Sequence, residues 1–169
     1  MNKKRSNPFS FFRPASGPAI VLDMLGEKGA ADGWVEVLIP KDKRIHRKFL
    51  ESLHFLVKNH YVGFKDEKNT EITLLPKGKI VYVRTKILRS SLLSEDKACL
   101  VVFDIPESKR KLRRFLRIFL NECGFIPIQK SVWISQFDVT KILSEFFAVL
   151  DFEEYITVFT ILVDKNRVN

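Results

Sequence analysis

From residue 98 onward the apolar residues switch period in a set order, and that order restricts the fold more than any other feature of the chain. Cys99 to Ile105 is an almost purely apolar run that ends around Asp104 and Pro106, which reads as a strand. Glu107 to Cys123 then places Leu112, Phe115, Leu116, Phe119 and Leu120 on one face of a basic amphipathic helix, closed by Gly124. Phe125–Ile128 and Lys130–Ser135 read as two strands meeting near Gln129. Asp138 is placed to cap a helix that runs through Leu150, and Tyr155 to Val163 is a long β-branched strand. Strand, helix, strand, strand, helix, strand is the ferredoxin-like arrangement, and it predicts a small domain over residues 98–165.

The first half has another rhythm. Ile20, Val21, Met24 and Leu25 predict a helix over residues 17–28, with Gly29 beyond its end. Trp34 to Ile39 is a short apolar run stopped by Pro40. It suits a short helix or a strand, and its context between two helices favours a helix. Asp42 can cap a helix from Lys43 to Asn59. There Phe49, Leu50, Leu53, Leu56 and Val57 line one side, while Arg44, Arg47, Lys48, Glu51 and Lys58 line the other. Asn59-His60 stops it, Asn tolerating the left-handed conformation of helix ends. Tyr61–Lys65 and Thr70–Leu75 flank the polar turn Asp66–Asn69 and predict a hairpin. Lys77 to Leu88 has helical spacing, with enough β-branched residues to leave a strand open. The polar, Ser-rich segment 89–97 is the expected linker. The predicted fold class is α+β: a winged helix-turn-helix over residues 17–88, followed by a ferredoxin-like domain.

Charge indicates where a partner binds. The chain has 169 residues and a net charge of +9. Residues 1–97 carry 19 Lys and Arg against 11 Asp and Glu, whereas residues 98–169 carry 10 against 9. A polyanion binder is therefore expected in the first half. Residues 1–16 read as a basic flexible arm. Arg13, Pro14, Pro18 and Asp23 break its apolar stretch, so it does not fit a signal peptide. No run reaches the ~20 apolar residues of a membrane span. Cys99 and Cys123 lie in apolar segments outside any metal-ligand spacing, which suits buried free thiols in a reducing, cytoplasmic compartment. His46, His54 and His60 fit packing or surface roles rather than a metal site.

A helix, a short element, a basic helix and a hairpin form the order of a DNA-binding winged helix. The basic helix must bury one face and offer the other to the major groove. Arg44, Arg47 and Lys48 stand in its first turns, and Lys65 and Lys68 lie on the hairpin as a wing. Asp66 and Glu67 partly offset that wing's charge. The expected partner is double-stranded DNA.

Leu100-Val101-Val102-Phe103-Asp104-Ile105-Pro106-Glu107, the basic run Lys109–Arg114, Gly124-Phe125 and Gln129-Lys130-Ser131-Val132-Trp133-Ile134 resemble the central domain of PaaX-type transcriptional repressors. That domain is similar to the CRISPR-associated Cas-two family. The resemblance covers residues 98–163, and residues 17–88 look like the PaaX N-terminal domain. It implies a homodimer through the ferredoxin-like domains that reads an operator with two half-sites, without catalysis or cofactor. PaaX-type repressors continue into a further domain, while this chain stops at Asn169, so their acyl-CoA response is not carried over. The alternative implied by the Cas-two similarity is a magnesium-dependent endonuclease, or a subunit of CRISPR adaptation. In it, Asp104 from two copies would hold Mg2+ at the dimer axis. Against this stands a structural role for Asp104, since Asp-x-Pro-Glu suits the start of a helix. The basic run Lys109–Arg117 suits either DNA phosphates or solvent.

Overall fold

The computed structural model describes residues 16–163 apart from 38, 66 and 69; most of the basic arm lies outside these. The chain forms two compact units, divided between Thr85 and Lys86. Both are mixed α and β, each built on one antiparallel sheet. Among the described residues no helix is long and apolar enough to cross a membrane.

In the first unit, α1 (Gly17–Leu25) starts at Ser16, whose Oγ accepts from the Ala19 N–H, and buries Val21, Leu22 and Leu25. It runs on without a break into a π-helical turn, Gly26–Ala30, in which Gly29 is the one non-helical residue, so helical backbone reaches Lys28 as the spacing predicts. Gly29 takes φ +94° there, a conformation that glycine reaches without the penalty a side chain would add.

The apolar run after this turn is not a helix. Val35–Glu36 forms β1, which pairs antiparallel with a later strand through Val35↔Ile72 and Glu36↔Glu71. The Val37 N–H extends the pairing to the Thr70 carbonyl at 2.9 Å. A six-residue helix would be too short to be stable by itself, whereas the hairpin's open edge supplies hydrogen bonds to an extended segment. Helix α1 is therefore followed by a strand, and the expected pair of adjacent helices is not formed among the described residues.

Helix α2 (Lys43–Lys58) buries Phe49, Ser52, Leu53 and Leu56. At its end the left-handed residue is His60 (φ +58°) rather than Asn59 (φ −97°). The Asn59 amide instead donates to the Phe55 carbonyl at 2.8 Å. Strands β2 (Val62–Phe64) and β3 (Glu71–Leu74) form the expected hairpin, with Val62↔Leu74 and Phe64↔Ile72 opposite each other. The sheet order is β1-β3-β2. Pro76 opens α3 (Pro76–Leu88), a helix rather than a strand; its missing N–H costs nothing at a first helical position. Leu22, Leu25, Leu56, Val62, Ile72 and Val81 form the centre of this unit's core.

The second unit follows the predicted order. Strand β4 (Lys97–Phe103) leads through a short 3₁₀ turn, Glu107–Lys109, into α4 (Arg110–Glu122). Then come β5 (Ile126–Gln129), β6 (Val132–Ser135), α5 (Thr140–Val149) and β7 (Ile156–Leu162). The sheet order is β5-β6-β4-β7, all antiparallel, which places the first and third strands of the βαββαβ unit in the middle. Residues 91–93 are tied to this unit: the Leu93 N–H reaches the Gln136 carbonyl and the Asp138 N–H reaches the Ser91 carbonyl. Asp138 does not cap α5; Val139 holds that position without a side-chain hydrogen bond.

The strands alternate faces with period two. Cys99, Val101 and Phe103 are buried. On that side Thr140, at the start of α5, reaches Cys99 Sγ and Thr160 Oγ1. Helices α4 and α5 close it with Leu116, Phe119, Leu120, Leu143, Phe146 and Phe147; the Phe119 and Phe146 rings lie 5.2 Å apart. The register puts Leu100 and Val102, Val132 and Ile134, and Phe159 together on the opposite face. Cys99 and Cys123 are buried and not joined in a disulfide.

Candidate nucleic-acid interface

The first turn of α2 is built against its own electrostatics. The Asp42 carboxylate accepts from the Arg44 and Ile45 N–H groups at 2.9 and 3.1 Å. Lys43 and Arg44 follow at once, with no acidic side chain in that turn. Cations near the positive end of a helix dipole cost stability, typically ~0.3–1 kcal/mol each. An anion placed there would be held by the N–H groups and the cations together.

Arg44, Arg47 and Lys48 are all exposed, one turn apart on the face opposite the buried stripe. Arg47 Nε lies 3.7 Å from Glu51 Oε1, with both side chains open to water. Such a pair is worth under about 1 kcal/mol and yields readily to a phosphate. Ile45 is 57% exposed beside these cations. Sequence reading missed it, as well as Lys41 and Lys43; Ile45 continues the Phe49–Leu53 line at i−4, so periodicity predicts it buried and only the fold leaves it open.

The hairpin contributes less than its lysines suggest. Lys65 Nζ pairs with Glu71 Oε2 at 2.6 Å. Lys68 is exposed in the turn, with exposed Glu67 beside it. The hairpin follows α2 directly, since the Tyr61 N–H donates to the Leu56 carbonyl at 2.9 Å.

In the second unit Asp104 stands exposed just beyond β4, its N–H bonded to the Tyr155 carbonyl at 2.9 Å. It does not start the following helical turn: Pro106 is at the N-cap, with no side-chain cap. Asp104 lines a shallow concavity of about 260 Å³ together with Ile105, Arg113, Arg117, Lys130 and Ser131. Arg113 pairs with Glu107 at 2.8 Å and donates to the Ile105 carbonyl. Arg117 Nε donates to the Lys130 carbonyl at 3.0 Å. A divalent cation such as Mg2+ needs several oxygen ligands. This lining offers one carboxylate among three cations, and among the described residues no group of three His, Cys, Asp or Glu side chains could hold a metal. Within one copy the lining supplies a single carboxylate, so the expected Mg2+ site would need Asp104 of a second copy.

The basic run of α4 divides by use. Lys109 lies over the Tyr155 ring, 4.1 Å from its centroid, and 3.6 Å from Glu154. Its hydrogen bond to the Tyr155 hydroxyl, foremost, holds its pKa above the ordinary lysine value. Arg110, Lys111 and Arg114 are exposed.

Residues 94–167 match the family described as PaaX protein, central Cas2-like domain. No curated protein matches the chain.

Proposed function

From the match of residues 94–167 to the PaaX central Cas2-like domain family, we propose that the chain is a cytoplasmic, PaaX-like transcriptional regulator that binds duplex DNA as a homodimer and acts as a repressor. One observation carries the reading. Helix α2 buries an apolar stripe and turns Arg44, Arg47 and Lys48 outward, directly before a hairpin, in the half of the chain that holds most of the net positive charge. One exposed helical face of this kind suits the major groove, which admits a single helix. The unit then works as a winged-helix-like reader in which α2 is the recognition helix, with Lys68 beside the DNA backbone and Lys65 shared with Glu71.

The dimer is assigned to the second unit. Leu100, Val102, Val132, Ile134 and Phe159 share the sheet face turned away from α4 and α5. Phe159 is 46% exposed. An apolar face of this extent is best buried against its own copy, and two-fold symmetry then calls for a site with two half-sites. The reading assigns no catalytic residue and no cofactor.

Gel shifts with duplex DNA at two salt concentrations test it, comparing wild type with Arg47→Ala plus Lys48→Ala. Losing two phosphate contacts should weaken binding and flatten the salt dependence by a slope of about 2. Unchanged affinity and slope in the double variant would remove α2 as the DNA-reading element.

A further inference from the structure

We infer that the concavity beside Asp104 is a site for a phosphate group, at the position where the Cas-two similarity would place a metal. This inference does not depend on DNA binding by the first unit. Three observations carry it.

The first is charge. Arg113 is set against Glu107, but Arg117 and Lys130 still outweigh the single carboxylate of Asp104. The local field therefore favours an anion. The second is preparation. Arg113 is tied to the Ile105 carbonyl, and Arg117 to the Lys130 carbonyl. Both guanidinium groups are thus positioned by the backbone of the loops that frame the concavity, and less side-chain freedom is lost on binding. Guanidinium groups suit phosphate oxygens in shape as well as charge, and the Ser131 hydroxyl adds a neutral donor. The third is size. About 260 Å³ is below the ~300–1,000 Å³ of sites that enclose a whole small molecule. The concavity takes the anionic end of a ligand and leaves the remainder outside.

Asp104 then acts as a gate on affinity. Its carboxylate repels a phosphate dianion, which keeps binding weak and reversible, whereas in a metal site the same carboxylate would be the principal ligand. Replacing it therefore has opposite consequences under the two readings.

The experiment is titration of the full chain with inorganic phosphate, followed by phosphorus NMR and by the shift in thermal midpoint that binding produces. Asp104→Asn should tighten phosphate binding several-fold, and misfolding cannot mimic that gain. Lys130→Gln, at an exposed position, should weaken it, and Arg117→Gln plus Lys130→Gln should abolish it with the phosphate-free midpoint little changed. A second arm uses a chain whose α2 cations are neutralised (Arg44→Gln, Arg47→Gln, Lys48→Gln). A short duplex that displaces phosphate there identifies a backbone diester as the natural source, and failure to displace identifies a free monoester; both agree with the inference. Absence of phosphate binding, binding indifferent to Lys130 and Arg117, or Mg2+ binding that requires Asp104 would each overturn it.

Discussion

A methyl group at Gly78 would stand 2.0 Å from the Tyr61 carbonyl oxygen, the tightest approach at any described glycine. The obstacle is backbone, which cannot swing aside as a flexible side chain can. Gly78→Ala, neutral or mildly favourable in an open helix, should instead destabilise the first unit by ~1–3 kcal/mol, as over-packing does; urea unfolding measures it. Tyr82 makes a second case. Burial first, then its hydrogen bond to Glu27 at 3.0 Å, pushes the Tyr82 hydroxyl from 10.0 up to about 12. Below pH 10 the phenol is neutral in both folded and unfolded chains. Above it the unfolded chain releases the proton first, so the stability contributed by neutral Tyr82 is complete below pH 10 and is lost as pH rises towards 12. Tyr82→Phe should show a smaller drop in urea midpoint between pH 9 and 11 than wild type. Neither residue stood out in the sequence, because both depend on neighbours distant along the chain: 17 positions for Gly78 and Tyr61, and 55 for Tyr82 and Glu27. Asp104 did stand out, but the cations that surround it come from α4 and from Lys130, after β5, and only folding brings them together.

Among elements, α2 was the most legible. Its start, its buried stripe and its cationic face are all properties of 3.6-residue periodicity, which local sequence contains in full. The Asp42 cap was legible too. Asp42→Ala should cost ~1 kcal/mol, since two N–H groups at the helix start lose their acceptor; thermal unfolding reads this directly. The same substitution removes a negative charge beside Arg44, so any loss of DNA affinity in this variant should be smaller than in Arg47→Ala plus Lys48→Ala. Strand β1 was not legible. Val35-Glu36-Val37 is too short for its period to identify it, and what makes it a strand is the free edge of β3, more than thirty residues later. The helix starts at Glu107 and Thr140 were also read too simply. Asp104 and Asp138 are good capping residues by type, yet neither is the cap.

At the scale of the molecule, the two units differ in charge; under the proposed function the first would offer cations to a polyanion and the second an apolar sheet face to a second copy. If that face closes the dimer, a carboxylate placed within it should open it. Ile134→Asp and Phe159→Asp should each shift wild-type dimers to monomers in sedimentation velocity, and should weaken operator binding more than binding to a single half-site. A monomeric wild type at micromolar concentration would remove the dimer from the reading. The sequence by itself determined the βαββαβ order, the helical face of α2 and the placing of net charge, because periodicity and composition are local quantities. Tertiary structure alone decided that Trp34–Ile39 yields a strand, that Lys65 is spent on Glu71, and that Asp104 sits among arginines. Val35 and Ile72 are distant partners that no local window contains; Lys65 and Glu71, or Asp104 and Arg113, lie close along the chain, but spacing alone does not say that a turn or loop folds them together.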